Sequence, residues 1–136
     1  MATAPDADMV ALLVAQGQGT SGTTIFASTP RGVAAGVPDA ALFVSIEPGD
    51  QPQPMTGGAA TRAQAHSRVR IWTRGAPDDR AGALAAARAA RDAVNRQRPT
   101  GYVNIVPEGD EPTDAGKDRA ERWVFYQFFS MWHVRT

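Results

Sequence analysis

Residues 123–134 read WVFYQFFSMWHV, the densest apolar and aromatic run in the chain. In an extended conformation Trp123, Phe125, Gln127, Phe129, Met131 and His133 project to one side, and Val124, Tyr126, Phe128, Ser130, Trp132 and Val134 to the other. Neither set has the character of a solvated face. Trp, Phe, Tyr and Val favour strands, and neither Gly nor Pro interrupts the run. It therefore predicts a long strand near the middle of a sheet, covered on one face by a helix and on the other by something further. A buried helix is the competing reading, but it would crowd Gln127, Ser130 and His133 onto one flank of an otherwise apolar segment.

The chain has 136 residues, enough for a single hydrophobic core and not for two independent ones, so one domain over 1–136 is expected. Hydrophobic residues at 43% and charged residues at 21% are ordinary globular values, while 13 Gly and 10 Pro point to long irregular connections. The absence of cysteine excludes a disulfide framework and every thiolate-based metal or nucleophile site. No run approaches the length of a membrane-spanning helix, and the first residues lack the basic and apolar regions of a signal peptide. A soluble protein made in the cytoplasm, with no membrane partner, is the expectation.

The formal charge of zero hides a segregation. Residues 1–61 carry five acids against Arg31, residues 62–98 carry nine arginines against Asp78, Asp79 and Asp92, and the remainder has a small acidic excess. Such blocks could build one basic and one acidic surface, suited to head-to-tail subunit contact or to steering a charged partner. They could equally be the solvated faces of a helix and a strand.

Working back from the final strand, residues 107–118, PEGDEPTDAGKD, read as an acidic turn, and residues 102–106 as a strand stopped by Pro107. Residues 78–98 form the clearest helix, with Asp78 and Asp79 in the first turn and Arg96 and Arg98 in the last. Its apolar stripe, Leu84, Ala87, Arg91 and Val94 with Ala81 and Ala90 beside it, is mostly alanine. That permits close approach to a sheet but supplies little burial, so the aromatic strand must provide much of the core. Gly82 costs this helix about 1 kcal/mol relative to alanine unless it permits a close contact.

Residues 66–73, HSRVRIWT, read as a half-buried strand, with Val69 and Ile71 on one side and Arg68, Arg70 and Trp72 on the other. Before it, residues 47–61, EPGDQPQPMTGGAAT, have no hydrophobic period and combine three glycines with three prolines, which predicts a long mobile loop. A loop of that length in a small domain suggests an arm that reaches a partner. Residues 40–46 and 23–27 read as strands. A short helix capped by Asp8 is expected over residues 9–16, stopped by the glycines from Gly17 to Gly22, with residues 1–7 frayed.

No catalytic constellation emerges. The two histidines, His66 and His133, lack metal-site spacing. Asp110, Glu111, Asp114 and Asp118 lack the glycine and terminal glutamate of a calcium loop. Ser45, Ser67 and Ser130 have neither a nucleophile elbow nor an evident neighbouring base. The glycines at 17–22 do not form a phosphate-binding pattern. No cofactor is expected. Arginine outnumbers lysine thirteen to one, and Arg68, Arg70 and Arg74 lie close to Trp72, a combination able to contact phosphates and stack on bases, although no nucleic-acid-binding signature is present.

The order of these segments resembles the tail terminator or minor capsid proteins of long-tailed bacteriophages and their gene transfer agent relatives. The resemblance covers residues 8–135. It rests on Ile25-Phe26 followed by Pro30, on Val37-Pro38-Asp39 leading into residues 41–44, on Gly49 with Pro52, and on Arg68-Val69-Arg70-Ile71 before the long helix. The family continues with an Asp and a Gly-Arg pair before the final strand; here Lys117 and Asp118 separate Gly116 from Arg119.

The resemblance implies an α+β fold, a mostly antiparallel or mixed sheet of about four to five strands against one long helix and a short N-terminal helix. It further implies a homo-oligomeric ring, commonly hexameric, at the tail-to-head junction of a virion or phage-like particle. Such a ring caps the head-proximal end of the tail tube and offers a docking surface to the head connector or neck protein. Arg68, Arg70 and Arg74 would then face the ring lumen, near passing DNA, or a neighbouring subunit. Gln51, Pro52, Gln53, Pro54, Met55, Gly57 and Gly58 would contact the tube or connector. A head-completion or neck protein would share these features, while a small enzyme or ligand-binding domain would instead need a pocket with converging polar groups.

Overall fold

The aromatic run is a strand, and it lies inside the sheet. The computed structural model describes residues 4–30, 37–47, 53–54 and 63–135. In chain order its elements are helix α1 (Pro5–Ala15), strands β1 (Ile25–Phe26), β2 (Ala41–Glu47), β3 (Gln53–Pro54) and β4 (Ala63–Pro77), helix α2 (Arg80–Val94), and strands β5 (Asn104–Pro107), β6 (Thr113–Lys117) and β7 (Arg122–Arg135). The seven strands follow the order β1-β2-β4-β7-β5, with β3 on β4 and β6 on β7. The β1–β2 pair is parallel and all the others are antiparallel, so the α+β class and mixed sheet expected from the sequence are present.

β7 and β4 are the long central pair, running from Ala63 opposite Arg135 to Arg74 opposite Val124, with an irregularity before Pro77 meets Arg122. Alternation sorts their side chains. Val69, Ile71 and Thr73 of β4 lie beside Phe129, Gln127 and Phe125 of β7 on one face. Arg68, Arg70, Trp72 and Arg74 lie beside Ser130, Phe128, Tyr126 and Val124 on the other.

Both helices pack on the first face. Met9, Val10 and Leu13 of α1 and Ala90 and Val94 of α2 meet Leu42, Val44, Val69, Ile71, Ile105, Phe129 and Met131 in one buried cluster. Ala83 and Ala87 of α2 meet Phe125 in a second. The alanine face does allow close approach. A Cβ added to Gly75 of β4 would lie 2.6 Å from the Cβ of Ala83, so helix and strand touch at backbone distance.

Several boundaries differ from the sequence expectation, each for a physical reason. Helix α1 begins at Pro5, inside the stretch expected to fray, because proline loses nothing at the first turn and Asp6 and Asp8 complement the helix dipole there. It ends where Gln18 N–H donates to the carbonyl of Leu13 and Gly17 N–H to that of Val14, with Gly17 at φ +76°. Helix α2 stops at Val94, short of Arg98, because Arg96 turns to φ +61° and gives its N–H to the carbonyl of Ile105 at 2.8 Å. Its N-cap is Asp79, whose carboxylate accepts from Gly82 N–H at 2.9 Å. The room that Gly82 preserves is the room this carboxylate occupies.

The segment expected as an acidic turn contains β6, which pairs Thr113 with Tyr126 and Asp114 with Phe125. Within the stretch expected as a loop without regular structure, Glu47 ends β2, and Gln53 and Pro54 pair with Gln64 and Ala63. At the far edge of the sheet, Ile105 of β5 has its outward groups occupied. The carbonyl of Ile105 takes the Arg96 N–H, and the N–H of Ile105 donates to Asn104 Oδ1 at 3.0 Å.

Tyr102 fastens α1 to the sheet. Its hydroxyl donates to Asp8 Oδ2 at 2.6 Å, and its ring is buried against the main cluster. Burial first, and then the Asp8 carboxylate, push the phenol well above the usual tyrosine range. The folded state therefore favours the neutral phenol. Below the unfolded value near pH 10 this contribution is complete, and it is lost as pH rises above that towards the folded value. The melting temperature of the wild-type protein should bend downward above about pH 10, and Tyr102→Phe, less stable at neutral pH, should lose much of that bend. Parallel alkaline slopes in the two proteins would refute the assignment.

Candidate functional site

The second face of the sheet carries the chain's most concentrated recognition chemistry. Among the described residues no helix covers it. β4 projects Arg68, Arg70, Trp72 and Arg74 there, and β7 adds Tyr126, Phe128 and Ser130 by register. Trp72 and Tyr126 have ring centroids 5.3 Å apart, and Tyr126 meets Phe128 edge-on at 5.7 Å. Arg68 lies 3.8 Å over the Phe128 ring. Arg70 sits among three rings, 4.5 Å from Trp72, 5.0 Å from Tyr126 and 4.5 Å from Phe128.

Both guanidinium groups are matched by acids of the same chain. Arg68 Nε and Nη2 donate to the two oxygens of Glu108 at 2.9 and 3.1 Å, a two-pronged pair that Ser130 Oγ extends by donating to Glu108 Oε2 at 3.2 Å. Arg70 Nε lies 3.1 Å from Glu47 Oε1, a charge contact without the alignment of a directed hydrogen bond. Ser45 Oγ donates to the same Glu47 oxygen at 3.3 Å and accepts from Trp72 Nε1 at 3.1 Å. Arg68 and Arg70 are half-buried, with 32% and 23% of their side-chain surface exposed.

Arg74 has a different position. It is buried, donates from Nε and Nη2 to the carbonyls of Asp39 and Pro38 at 2.8 Å each, and lies over Phe43. Burial, and then the nearby charge of Arg122, hold it below the usual arginine range, with Asp118 and Asp39 opposing. The structure thus brings Arg68 and Arg70 together on an accessible face and places Arg74 as an internal brace at its end. Of the seven expected partner-contact residues, Gln53 and Pro54 form β3, while Gln51, Pro52, Met55, Gly57 and Gly58 lie outside the described residues.

Much of the charge segregation is answered inside the chain. Arginines of the basic block pair with acids of the later segment: Arg80 with Asp114 at 3.2 Å, Arg88 with Glu111 at 2.9 Å and Arg91 with Glu111 at 3.5 Å. One pairing with chemical potential escaped the sequence. Ser67 Oγ and His133 Nε2 are 3.1 Å apart although 66 positions separate them. The imidazole is buried and packs edge-on against Tyr102 at 5.8 Å, and the pair does not line the groove described below. Among the described residues no group of three or more His, Asp or Glu side chains could hold a metal ion, and no helix is long and apolar enough to cross a membrane.

Two helices on one face, an aromatic-arginine platform on the other and a long β4–β7 pair between them define this fold. It has a solved counterpart. The chain superposes on one in a structure described as "Virion of native gene transfer agent (GTA) particle" with a TM-score of 0.56 and 22% identity, over 94% of this chain and 84% of that one. At that identity the likeness is one of fold. No protein-family model matches the chain, and no curated protein matches it.

Proposed function

We propose that the chain is a structural protein of a phage-like particle, a tail terminator that forms a ring on the head-proximal end of the tail tube and presents a joining surface to the head connector. The observation that carries this reading is the fold likeness, over nearly the whole chain, to a chain of a gene transfer agent virion. The helix-free sheet face supports it. Half-buried Trp, Tyr, Phe and Arg side chains in one patch have the composition of protein interface centres.

On this reading Arg68 and Arg70, with Trp72, Tyr126 and Phe128, form an intersubunit face. A lumen facing DNA is the weaker assignment for them, since each guanidinium is matched by a glutamate that phosphate would have to displace. Arg74 supports the face from within. The segment from Gln51 to Gly58 is the arm proposed to reach the tube or connector. Partners are further copies of the chain, in a hexameric ring, then the tube protein and the connector or neck protein.

Negatively stained purified protein should show discrete rings, and those rings should cap isolated tail-tube ends. Rings that bind head connectors and ignore tube ends would make this a neck protein, and a monomer that binds neither would refute the proposal. Replacing Arg68→Glu and Arg70→Glu together should abolish the rings while the circular dichroism spectrum is kept. Intact rings and an unchanged yield of DNA-filled particles would remove both residues from the interface.

A further inference from the structure

A groove of about 940 Å³ crosses the end of the helix-free face, between the β6–β7 turn and the segment at Thr29 and Pro30. Trp72 and Val124 line it with apolar surface. Arg74, Lys117, Arg119 and Arg122 also line it, against one acid, Asp118. Three of these cations are engaged within the chain. Arg74 holds carbonyls, Lys117 meets Asp78 and Glu121 at 3.3 and 3.2 Å, and Arg122 meets Asp118 and Asp39 at 2.8 and 3.1 Å. Arg119 is exposed and makes no ion pair among the described residues.

Farther along the same edge of β7, the turn between β5 and β6 carries the complementary feature. The turn at residues 108–111 is fixed on three sides: Glu108 by Arg68, Glu111 by Arg88, and the carbonyl of Gly109 by Gln127 Nε2 at 3.0 Å. Its tip is held as well, because Arg91 Nη1 donates to the carbonyl of Asp110 at 2.5 Å. The Asp110 carboxylate is left exposed and without an ion pair among the described residues. A rigid acidic tip and a basic aromatic groove thus sit on different parts of one chain, and each keeps one unmatched charge.

We infer that the groove receives the turn at residues 108–111 of a second copy, with Asp110 of one copy meeting Arg119 of the next. This rests on the ring reading above and gives it a direction. A contact between two different patches is heterologous, and heterologous contacts close into rings when the rotation per copy permits. The occupant follows from charge: among the described residues Arg119 is the one groove cation without a partner in the chain, and Asp110 is the one acid of the turn without an ion pair.

Sedimentation velocity and negative-stain imaging of four proteins test the inference: wild type, Arg119→Glu, Asp110→Arg, and the two changes in one chain. Neither side chain has an ion pair to lose, so all four should share one melting temperature. Each single reversal should weaken association by at least about tenfold, and the double variant, with opposite charges again facing across every contact, should recover it to within about threefold. Wild-type rings undisturbed by either single change would overturn the inference and leave the ring reading intact. Loss in both singles without recovery in the double would assign the two patches to other partners and overturn it as well. A wild type without rings would refute the ring reading, and this inference with it.

Discussion

Gly75→Ala is expected to destabilise the monomer by about 2–3 kcal/mol, far more than a single methyl group suggests. The new Cβ would stand 2.6 Å from the Cβ of Ala83 and 3.2 Å from its Cα, so a backbone element has to move. Helix α2 cannot retreat from Gly75 without also loosening Ala87 from Phe125 in the same cluster. Urea denaturation followed by circular dichroism measures the effect, and a midpoint within experimental error of wild type would show that the close contact is not present in solution. Gly82→Ala offers a companion test. Alanine should gain up to about 1 kcal/mol in a helix interior, but here it displaces the capping carboxylate of Asp79, so the usual gain should vanish.

Phe129→Ala should cost about 3–5 kcal/mol, the range for deleting a fully buried aromatic ring. Phe129 is 1% exposed and belongs to the cluster in which both helices meet the sheet. Phe128, one residue earlier, points to the other face and carries the guanidinium groups of Arg68 and Arg70. Phe128→Ala should therefore cost the monomer well under half as much and reduce ring formation instead. Equal losses of monomer stability in the two variants would mean that the second face is buried in the monomer, which would remove the main support for an interface there.

That contrast also shows how far the sequence could be read. The run at 123–134 revealed a central strand because its aromatics, β-branched residues and lack of Gly and Pro agree at every position. The alternation of Val69 and Ile71 against Arg68, Arg70 and Trp72 likewise gave both faces of β4. β6 was illegible because Thr113, Asp114 and Gly116 carry no strand period; the segment is a strand because β7 offers it backbone partners. The end of α2 was hidden for a related reason, since the Arg96 amide is drawn away by Ile105, a residue of a later element. Arg74 shared the parity of Arg68 and Arg70, but its burial depends on carbonyls 35 and 36 positions earlier in the chain. Ser67 and His133 met only once β4 and β7 were in register.

The occupied margin at β5 bears on how the protein behaves when crowded. Fibrils lengthen because every molecule added exposes a fresh row of amides for the next. Here Ile105 has both its outward groups engaged, and Pro107 has no N–H to give. A strand approaching along β5 would find no free backbone donor at Ile105 or Pro107, so strand-by-strand growth across that strand is disfavoured. Solutions of the protein should accordingly stay free of thioflavin-positive material at high concentration, leaving side-chain surfaces to govern how copies associate.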